Sequence, residues 1–335
     1  MFQTKRLGAW LGIFVLLSSL LTDCGASSEG SAANSPAPSS TSAQSETNQA
    51  AAPKERSMTD AVGHQVTIPA SPKRAVFHGE SLGDLLALGI MPIGAASAFY
   101  EGTIFEDKLT SLTDVGFPIH FEKVLELDPD LILIANTDEK IYSELSKIAP
   151  TLVIDTFAPL DERLRLMGDI FDKKEEAEQW LTDYHAKEQQ LWEQLHSAEI
   201  KPGETASVLT YYPGNRLFVM AATGFSQILY QENGFKPTPS IQTVLDAGKG
   251  FEEISMELLP EVAGDRIFIL TPIPEDAVQS LNEMMKSRLW SDLPAVKNGH
   301  VYQLPIRLSE SDATTREYII QQLPELLNNK KLESK

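Results

Sequence analysis

Cys24 is the sole cysteine of the chain. A lone thiol can serve as a nucleophile, a metal ligand or a point of lipid attachment, and it cannot close an intramolecular disulfide. The six histidines, at 64, 78, 120, 185, 196 and 300, are scattered with no close pair. A bare zinc or manganese site needs several converging His or carboxylate ligands, so this spacing disfavours one and leaves His78 as a candidate ligand for haem iron. Hydrolysis needs a nucleophile, a base and an orienting acid. Gly-x-Ser-x-Gly occurs once, at Gly79-Glu80-Ser81-Leu82-Gly83, but His-Glu-x-x-His does not occur and Gly-rich phosphate loops are absent from the sequence. The residue inventory therefore reads as a binding protein with no cofactor of its own. A formal net charge of −19 argues against a nucleic-acid partner, which would be repelled over most of the surface. A local basic pocket could still hold an anionic ligand.

The position of Cys24 decides its role. Lys5 and Arg6 precede an apolar run from Leu7 to Leu21. At about 15 residues the run is short for a membrane span, which needs roughly 20. Its order is that of a secretory signal over 1–23. The segment Leu21-Thr22-Asp23-Cys24-Gly25 resembles the lipobox of bacterial lipoproteins, in which the cysteine is acylated and becomes the mature N-terminus. Asp23 stands where Gly, Ala or Ser is usual. Residues 24–57 are rich in Ser, Ala, Pro, Asn, Gln and Thr. They bury too little apolar surface to offset ordering entropy and read as a flexible tether. Acylation plus a long tether predicts an extracytoplasmic, lipid-anchored protein and fits a Gram-positive cell surface.

Apolar residues make up 42% of the 335, and the length suggests two compact lobes rather than one core. Val62–Ile68 reads as a short strand, and Pro72-Lys73-Arg74 leads into another at Ala75-Val76-Phe77. Ser81–Leu88 reads as a helix stopped at Gly89, with a strand at Pro92–Ala96. A helical turn at Phe121–Leu127, a break at Asp128-Pro129-Asp130 and the apolar run Leu131–Ala135 form an α/β unit whose strand is buried on both faces. The same plan recurs at Ser255–Leu259, Pro260–Asp265 and Arg266–Leu270. The interval from Glu122 to Asp130 equals that from Glu257 to Asp265, as expected of two lobes built alike. Between them, Glu175 to about Ile200 contains no Gly or Pro. Ala177, Trp180, Leu181, Tyr184, Leu191, Trp192 and Leu195 make an apolar helical stripe. Roughly 26 residues at about 1.5 Å each would span about 39 Å. The predicted organisation is an α/β lobe over 58–172, a bridging helix over 173–200 and a second α/β lobe over 201–335. Each lobe is Rossmann-like with a parallel-rich sheet.

The order of motifs resembles the ABC-importer solute-binding proteins of the siderophore, haem and vitamin B12 type. The pieces that carry the resemblance are Thr59-Asp60-Ala61-Val62-Gly63 with Pro72-Lys73-Arg74, Leu88–Gly94, Glu122–Ile132, Ile148-Ala149-Pro150-Thr151, Ile254–Glu257 and Trp290–Tyr302. The resemblance implies two α/β lobes joined by one rigid helix, with ligand held in the cleft, and a monomer that meets the permease of an ABC importer. It also implies a glutamate on each lobe that docks permease arginines; the matching positions are Glu122 and Glu257. A carboxylate favoured at a helix start by the helix dipole is the plainer reading of both.

Cleft loops of such a fold follow the strand ends. In the first lobe that nominates His78, Glu80, Ser97, Phe99, Tyr100 and Asn136. In the second it nominates Tyr211, Tyr212, Asn215, Arg216, Phe225 and Arg307. Arginine forks suit the oxygens of a ferric chelate and aromatic faces suit its apolar rim. The expected ligand is a ferric siderophore, with haem and vitamin B12 as alternatives within transport. A structural or adhesive surface lipoprotein is the alternative outside it, and would leave the paired Glu-bearing units and the bridging helix unexplained.

Overall fold

The computed structural model describes residues 54–198 and 200–332. Cys24, the apolar leader and the Ser-rich segment as far as Pro53 lie outside the described residues. The described chain opens with an antiparallel hairpin, β1 (Glu55–Thr59) and β2 (Gln65–Pro69). β1 begins inside the stretch expected to be tether, because pairing with β2 satisfies its backbone and Met58 packs on the core. The strand expected from Val62 starts only at Gln65. Asp60 makes the intervening turn, its carboxylate accepting the N–H groups of Val62 and His64.

The first lobe continues through β3 (Ala75–His78), α1 (Leu82–Ala87), β4 (Gly94–Ala95), β5 (Thr113–Asp114), α2 (Phe121–Glu126), β6 (Leu131–Ile134), α3 (Glu139–Leu145) and β7 (Thr151–Val153). These strands form an all-parallel sheet in the order β5-β4-β3-β6-β7. β6 is buried at every position, as its unbroken apolar run requires. Gly89, at φ +68°, stops the chain after α1 in a backbone conformation that favours glycine. Helices α4 (Leu160–Ile170) and α5 (Lys174–Ala198) follow. On α5, Ala177, Leu181, Tyr184, Leu191, Trp192 and Leu195 are buried, so the period-3.6 stripe is the packed face.

The second lobe comprises β8 (Thr205–Tyr212), β9 (Arg216–Met220), α6 (Phe225–Leu229), β10 (Lys236–Pro237), α7 (Pro239–Asp246), β11 (Phe251–Ile254), α8 (Leu259–Val262), β12 (Arg266–Thr271), α9 (Glu275–Met284), α10 (Arg288–Ser291), α11 (Pro294–Lys297), β13 (Val301–Pro305) and α12 (Ala313–Asn329). Its sheet runs β11-β9-β8-β12-β13, with β10 also on β8. β10, β12 and β13 are parallel to β8 or to one another, whereas β9 is antiparallel to both β8 and β11.

The duplicated unit has one structural meaning in both lobes. Asp130 accepts the N–H groups of Lys73 and Arg74, at 2.7 and 2.9 Å, where the chain enters β3. Asp265 accepts Thr205 N–H at 2.9 Å where the chain enters β8. Each Asp thus satisfies backbone donors at the start of the neighbouring parallel strand, which the ladder leaves unpaired.

Two separate cores are not what forms. One apolar cluster runs from Phe77 and Leu133 of the first sheet, through Tyr184 and Trp192 of α5, to Val208 and Phe268 of the second sheet and Leu323 of α12. Further clusters fill the other side of each sheet. α12 belongs by sequence to the second lobe but also closes on the first. Ala313 N–H donates to Asp84 on α1 at 2.8 Å, and Thr314 Oγ1 donates to the Gly83 carbonyl at 2.7 Å. A side chain at Gly83 could not fit, since its Cβ would fall 1.7 Å from Asp312.

Candidate functional site

Loops after the carboxyl ends of β3, β7, β9, β12 and β13 face one another, and cavities between them draw residues from both lobes. One, of about 390 Å³, lies between Glu101 and Gly102 of the first lobe and Thr271, Ile273 and Arg307 of the second. Another, of about 60 Å³, lies between Glu80 and Phe157 on one side and Thr223, Glu310 and Asp312 on the other.

Arg307, Arg216 and Tyr212 come together. Arg307 sits just past β13, where Nη1 donates to Glu310 at 3.1 Å. Its Nε is buried and has no acceptor among the described residues. Gly102 of the first lobe covers it: a Cβ there would lie 3.6 Å from the arginine Cγ. Arg216 opens β9, exposed, with Nη2 bound to Glu253 at 2.9 Å and its guanidinium 5.0 Å from the centre of the Phe218 ring. Tyr212 faces Arg216 in the β8–β9 register. Burial pushes its phenol pKa up, and the positive fields of Arg307 and Arg216 oppose that rise.

Tyr211 is a different case. Neighbours on a strand point to opposite faces, so Tyr211 turns into the second-lobe core, only 6% exposed, while its hydroxyl donates to Asn215 Oδ1 at 2.7 Å. Tyr211 and Asn215 line a cavity bounded by second-lobe residues, including Met256 and Ser287. Asn215 adopts φ +61° in the β8–β9 turn, a conformation asparagine tolerates better than most residues. Phe225 is fully buried, edge-on to Phe268 at 5.3 Å. Tyr100 is 1% exposed, its hydroxyl donating to the Gly79 carbonyl at 2.6 Å. Tyr211, Phe225 and Tyr100 are therefore packed in the core.

His78 ends β3, nearly buried, with Nε2 donating to the Gly116 carbonyl at 3.2 Å. Burial pushes its pKa down, which favours the neutral ring. With Nε2 engaged, His78 is poorly disposed to ligate haem iron, and it joins Phe99 and Phe117 in an aromatic wall with ring centres 4.8–6.0 Å apart. Ser97 is exposed, its N–H donating to Asp114. Phe117, Phe157 and Ile273 went unnoticed in the sequence. All three are large apolar side chains more than half exposed. Phe157 and Ile273 lie in loops after parallel strands, which was the signal available for them. Glu310 and Asp312 were also missed; they follow β13 and were readable only as helix-start acids.

Glu122 and Glu257 are both exposed, and neither has an ion pair among the described residues. α2 follows the parallel strand β5. The turn Met256–Leu258 follows β11, which runs in the same direction as β8. Each glutamate therefore stands on the carboxyl-end edge of its own sheet, beside an exposed leucine, Leu125 or Leu258.

The family model described as "Periplasmic binding protein" matches residues 75–308, which contain both sheets, the bridging helix and most of the cleft loops. The chain belongs to the periplasmic binding protein family. This member of the family is accordingly an extracytoplasmic substrate-binding protein and not an enzyme. It is 30% identical over 298 residues to the iron(3+)-hydroxamate-binding protein YxeB of Bacillus subtilis, with 87% of each chain covered. It is 29% identical to the iron(3+)-hydroxamate-binding protein FhuD of the same organism, with 90% of each covered. Among solved structures, Staphylococcus aureus SirA complexed with staphyloferrin B matches with a TM-score of 0.71 at 27% identity, covering 82% of this chain and 98% of SirA. S. aureus FhuD2 with bound ferrioxamine B matches at 0.69 and 25% identity, covering 77% and 99%. The expected class of two α/β lobes joined by one long helix is the fold these structures share.

Proposed function

We propose that this periplasmic binding protein captures a ferric siderophore in the inter-lobe cleft and delivers it to the permease of an ABC importer, and that the siderophore is of the hydroxamate class. The observation that carries the class is charge balance. Arg307 is matched by Glu310 and Arg216 by Glu253, so the cleft arginines offer donors without surplus positive charge. Three singly charged hydroxamates cancel the charge of ferric iron, whereas three catecholates leave a trianion that such a cleft would desolvate without compensation. The names of YxeB and FhuD point the same way. Arg307, Arg216 and Tyr212 supply donors to the chelate oxygens, and His78, Ser97, Phe99 and Phe117 form the first-lobe wall. Glu122 and Glu257 meet cations on the two permease subunits. Cys24 carries the lipid, residues up to about 54 form the tether, and the protein works as a monomer at the outer face of a Gram-positive membrane.

The test is an intrinsic-fluorescence titration of the full chain with ferric hydroxamate, catecholate and citrate complexes, with haem and cobalamin alongside, corrected for ligand absorption. Saturable quenching by the hydroxamate complex, weakened about tenfold or more in Arg307→Ala, is the expected result. Tight binding of a catecholate instead would overturn the charge argument. Glu122→Ala with Glu257→Ala should preserve this affinity and abolish uptake by cells; loss of binding in that double variant would remove the docking role.

A further inference from the structure

The ion pair of Arg307 and Glu310 links two cavities of the cleft. Arg307 lines the larger one with Gly102 and Ile273, and Glu310 lines the smaller one with Glu80 and Phe157. Arg307 Nη1 donates to Glu310 Oε1 at 3.1 Å, and the two side chains are 22% and 27% exposed. Glu310 is the one carboxylate paired with Arg307 among the described residues. Burial pushes the Glu310 carboxyl pKa up, and the hydrogen bond and charge of Arg307 oppose that rise. The arginine therefore favours the charged carboxylate. Tyr212 lies within the positive fields of both Arg307 and Arg216.

The other cleft pair has a different setting. Arg216 and Glu253 are 53% and 47% exposed, and water and salt screen a pair so placed. Arg307 and Glu310 already keep most of their surface from water, and a ligand filling the adjoining cavities would displace more of it. A charge left unmatched there acts through a lower effective dielectric and reaches the ligand at greater strength. Glu310 cancels the charge of Arg307 while occupying only one of its nitrogens. We infer that Glu310 is a specificity-determining residue of the cleft, which admits ferric chelates of balanced charge and rejects anionic ones by neutralising Arg307 where the ligand desolvates the pair. The inference rests on the siderophore reading and assigns the charge selectivity of that site to one side chain. A ferric trishydroxamate core is neutral. A ferric triscatecholate is a trianion, and Glu310 both repels it and withholds the surplus charge it would need. Discrimination of this kind comes from an element that penalises the wrong ligand.

Fluorescence titration of the full chain, corrected for ligand absorption, would compare N-acetylated ferrioxamine B, a neutral ferric trishydroxamate, with ferric enterobactin, a triscatecholate trianion. The wild type should bind the neutral complex more tightly. The amide oxygen of glutamine can still accept from Arg307 Nη1, so Glu310→Gln removes charge and little else. In that variant the ratio of the two affinities should move towards the trianion by roughly tenfold or more, the scale of two unit charges about 10 Å apart at an effective dielectric of about 20. Glu310→Asp keeps a carboxylate and should hold the ratio nearer the wild-type value, and Glu253→Gln should move it less than Glu310→Gln does. Should Glu310→Gln fail to fold, Arg307→Gln tests the same balance from the other side; it leaves Glu310 unmatched and should move the ratio further from the trianion. An unchanged ratio in the folded variant, or a shift that Glu310→Asp and Glu253→Gln reproduce in full, would overturn the role of Glu310 and leave the siderophore reading standing. A wild type that prefers the trianion would overturn it together with the hydroxamate class. If the wild type binds neither complex, the siderophore reading falls and the role of Glu310 with it.

Discussion

Removing the Asp84 carboxylate should be among the most damaging single changes to this fold. Asp84 and Arg163 form an ion pair with side chains 2% and 3% exposed, Arg163 Nε donating to Asp84 Oδ2 at 2.8 Å. Asp84 Oδ1 also accepts Ala313 N–H at 2.8 Å, and Arg163 Nη2 donates to the Ser311 carbonyl at 2.6 Å. The pair therefore holds α1 and α4 of the first lobe against the start of α12. In Asp84→Ala the guanidinium keeps two carbonyls, from Ala158 and Ser311, and the weaker fields of Asp312 and Asp155, but loses its hydrogen-bonded carboxylate, and the Ala313 donor is orphaned. Breaking a buried pair this way costs about 3–5 kcal/mol. At about 2–4 °C per kcal/mol for a domain of this order of size, Tm should fall by roughly 6–20 °C. Urea denaturation followed by circular dichroism measures the first figure and calorimetry the second. The double variant Asp84→Leu with Arg163→Met removes both charges and should be more stable than Asp84→Ala. A cost below about 1 kcal/mol for Asp84→Ala, or a double variant worse than the single, would refute the view of this pair as an uncompensated-charge problem.

Gly224 lies at φ +54°, and a Cβ there would fall 1.7 Å from the Ser309 carbonyl oxygen. Gly224→Ala should cost at least about 3 kcal/mol and displace the Ser309–Asp312 loop, whereas Gly89→Ala, at φ +68° with open space around it, should cost only about 1–2 kcal/mol from backbone strain; thermal melts of both compare them. Stability should also depend on pH through Asp312, whose carboxyl rises from 3.8 to about 7 on folding. The folded state then holds the proton more tightly, so this contribution is complete below pH 3.8 and is lost as pH rises through about 7. Three pH units at 1.36 kcal/mol each make it about 4 kcal/mol. Asp265 acts in the opposite sense, because hydrogen bonds from Thr205 hold its carboxyl low and its contribution disappears as pH falls below that range. Denaturation midpoints of the wild type should therefore fall between pH 5 and 8, and those of Asp312→Asn should not.

Local pattern was sufficient wherever one element's own periodicity decides burial. The stripe on α5, the unbroken apolar run of β6 and the repeated Glu-to-Asp interval of the two lobes all appear in the fold as read. Those signals need only the geometry of a helix or strand and the requirement that strand-start donors find acceptors. What tertiary structure alone decided is which side of an element each candidate faces and which distant group it meets. Tyr211 and Tyr212 are indistinguishable as letters, yet strand pleat sends one into the core and the other towards Arg216 and Arg307. Arg216 finds Glu253 because β11 lies antiparallel against β9. Asp312 is an ordinary helix cap by sequence; burial beside Asp84, where α12 folds back onto the first lobe, is what pushes its carboxyl up to about 7. Sequence determined the elements because hydrophobic period is local; tertiary packing decided the site because charge balance and desolvation depend on neighbours that are remote along the chain.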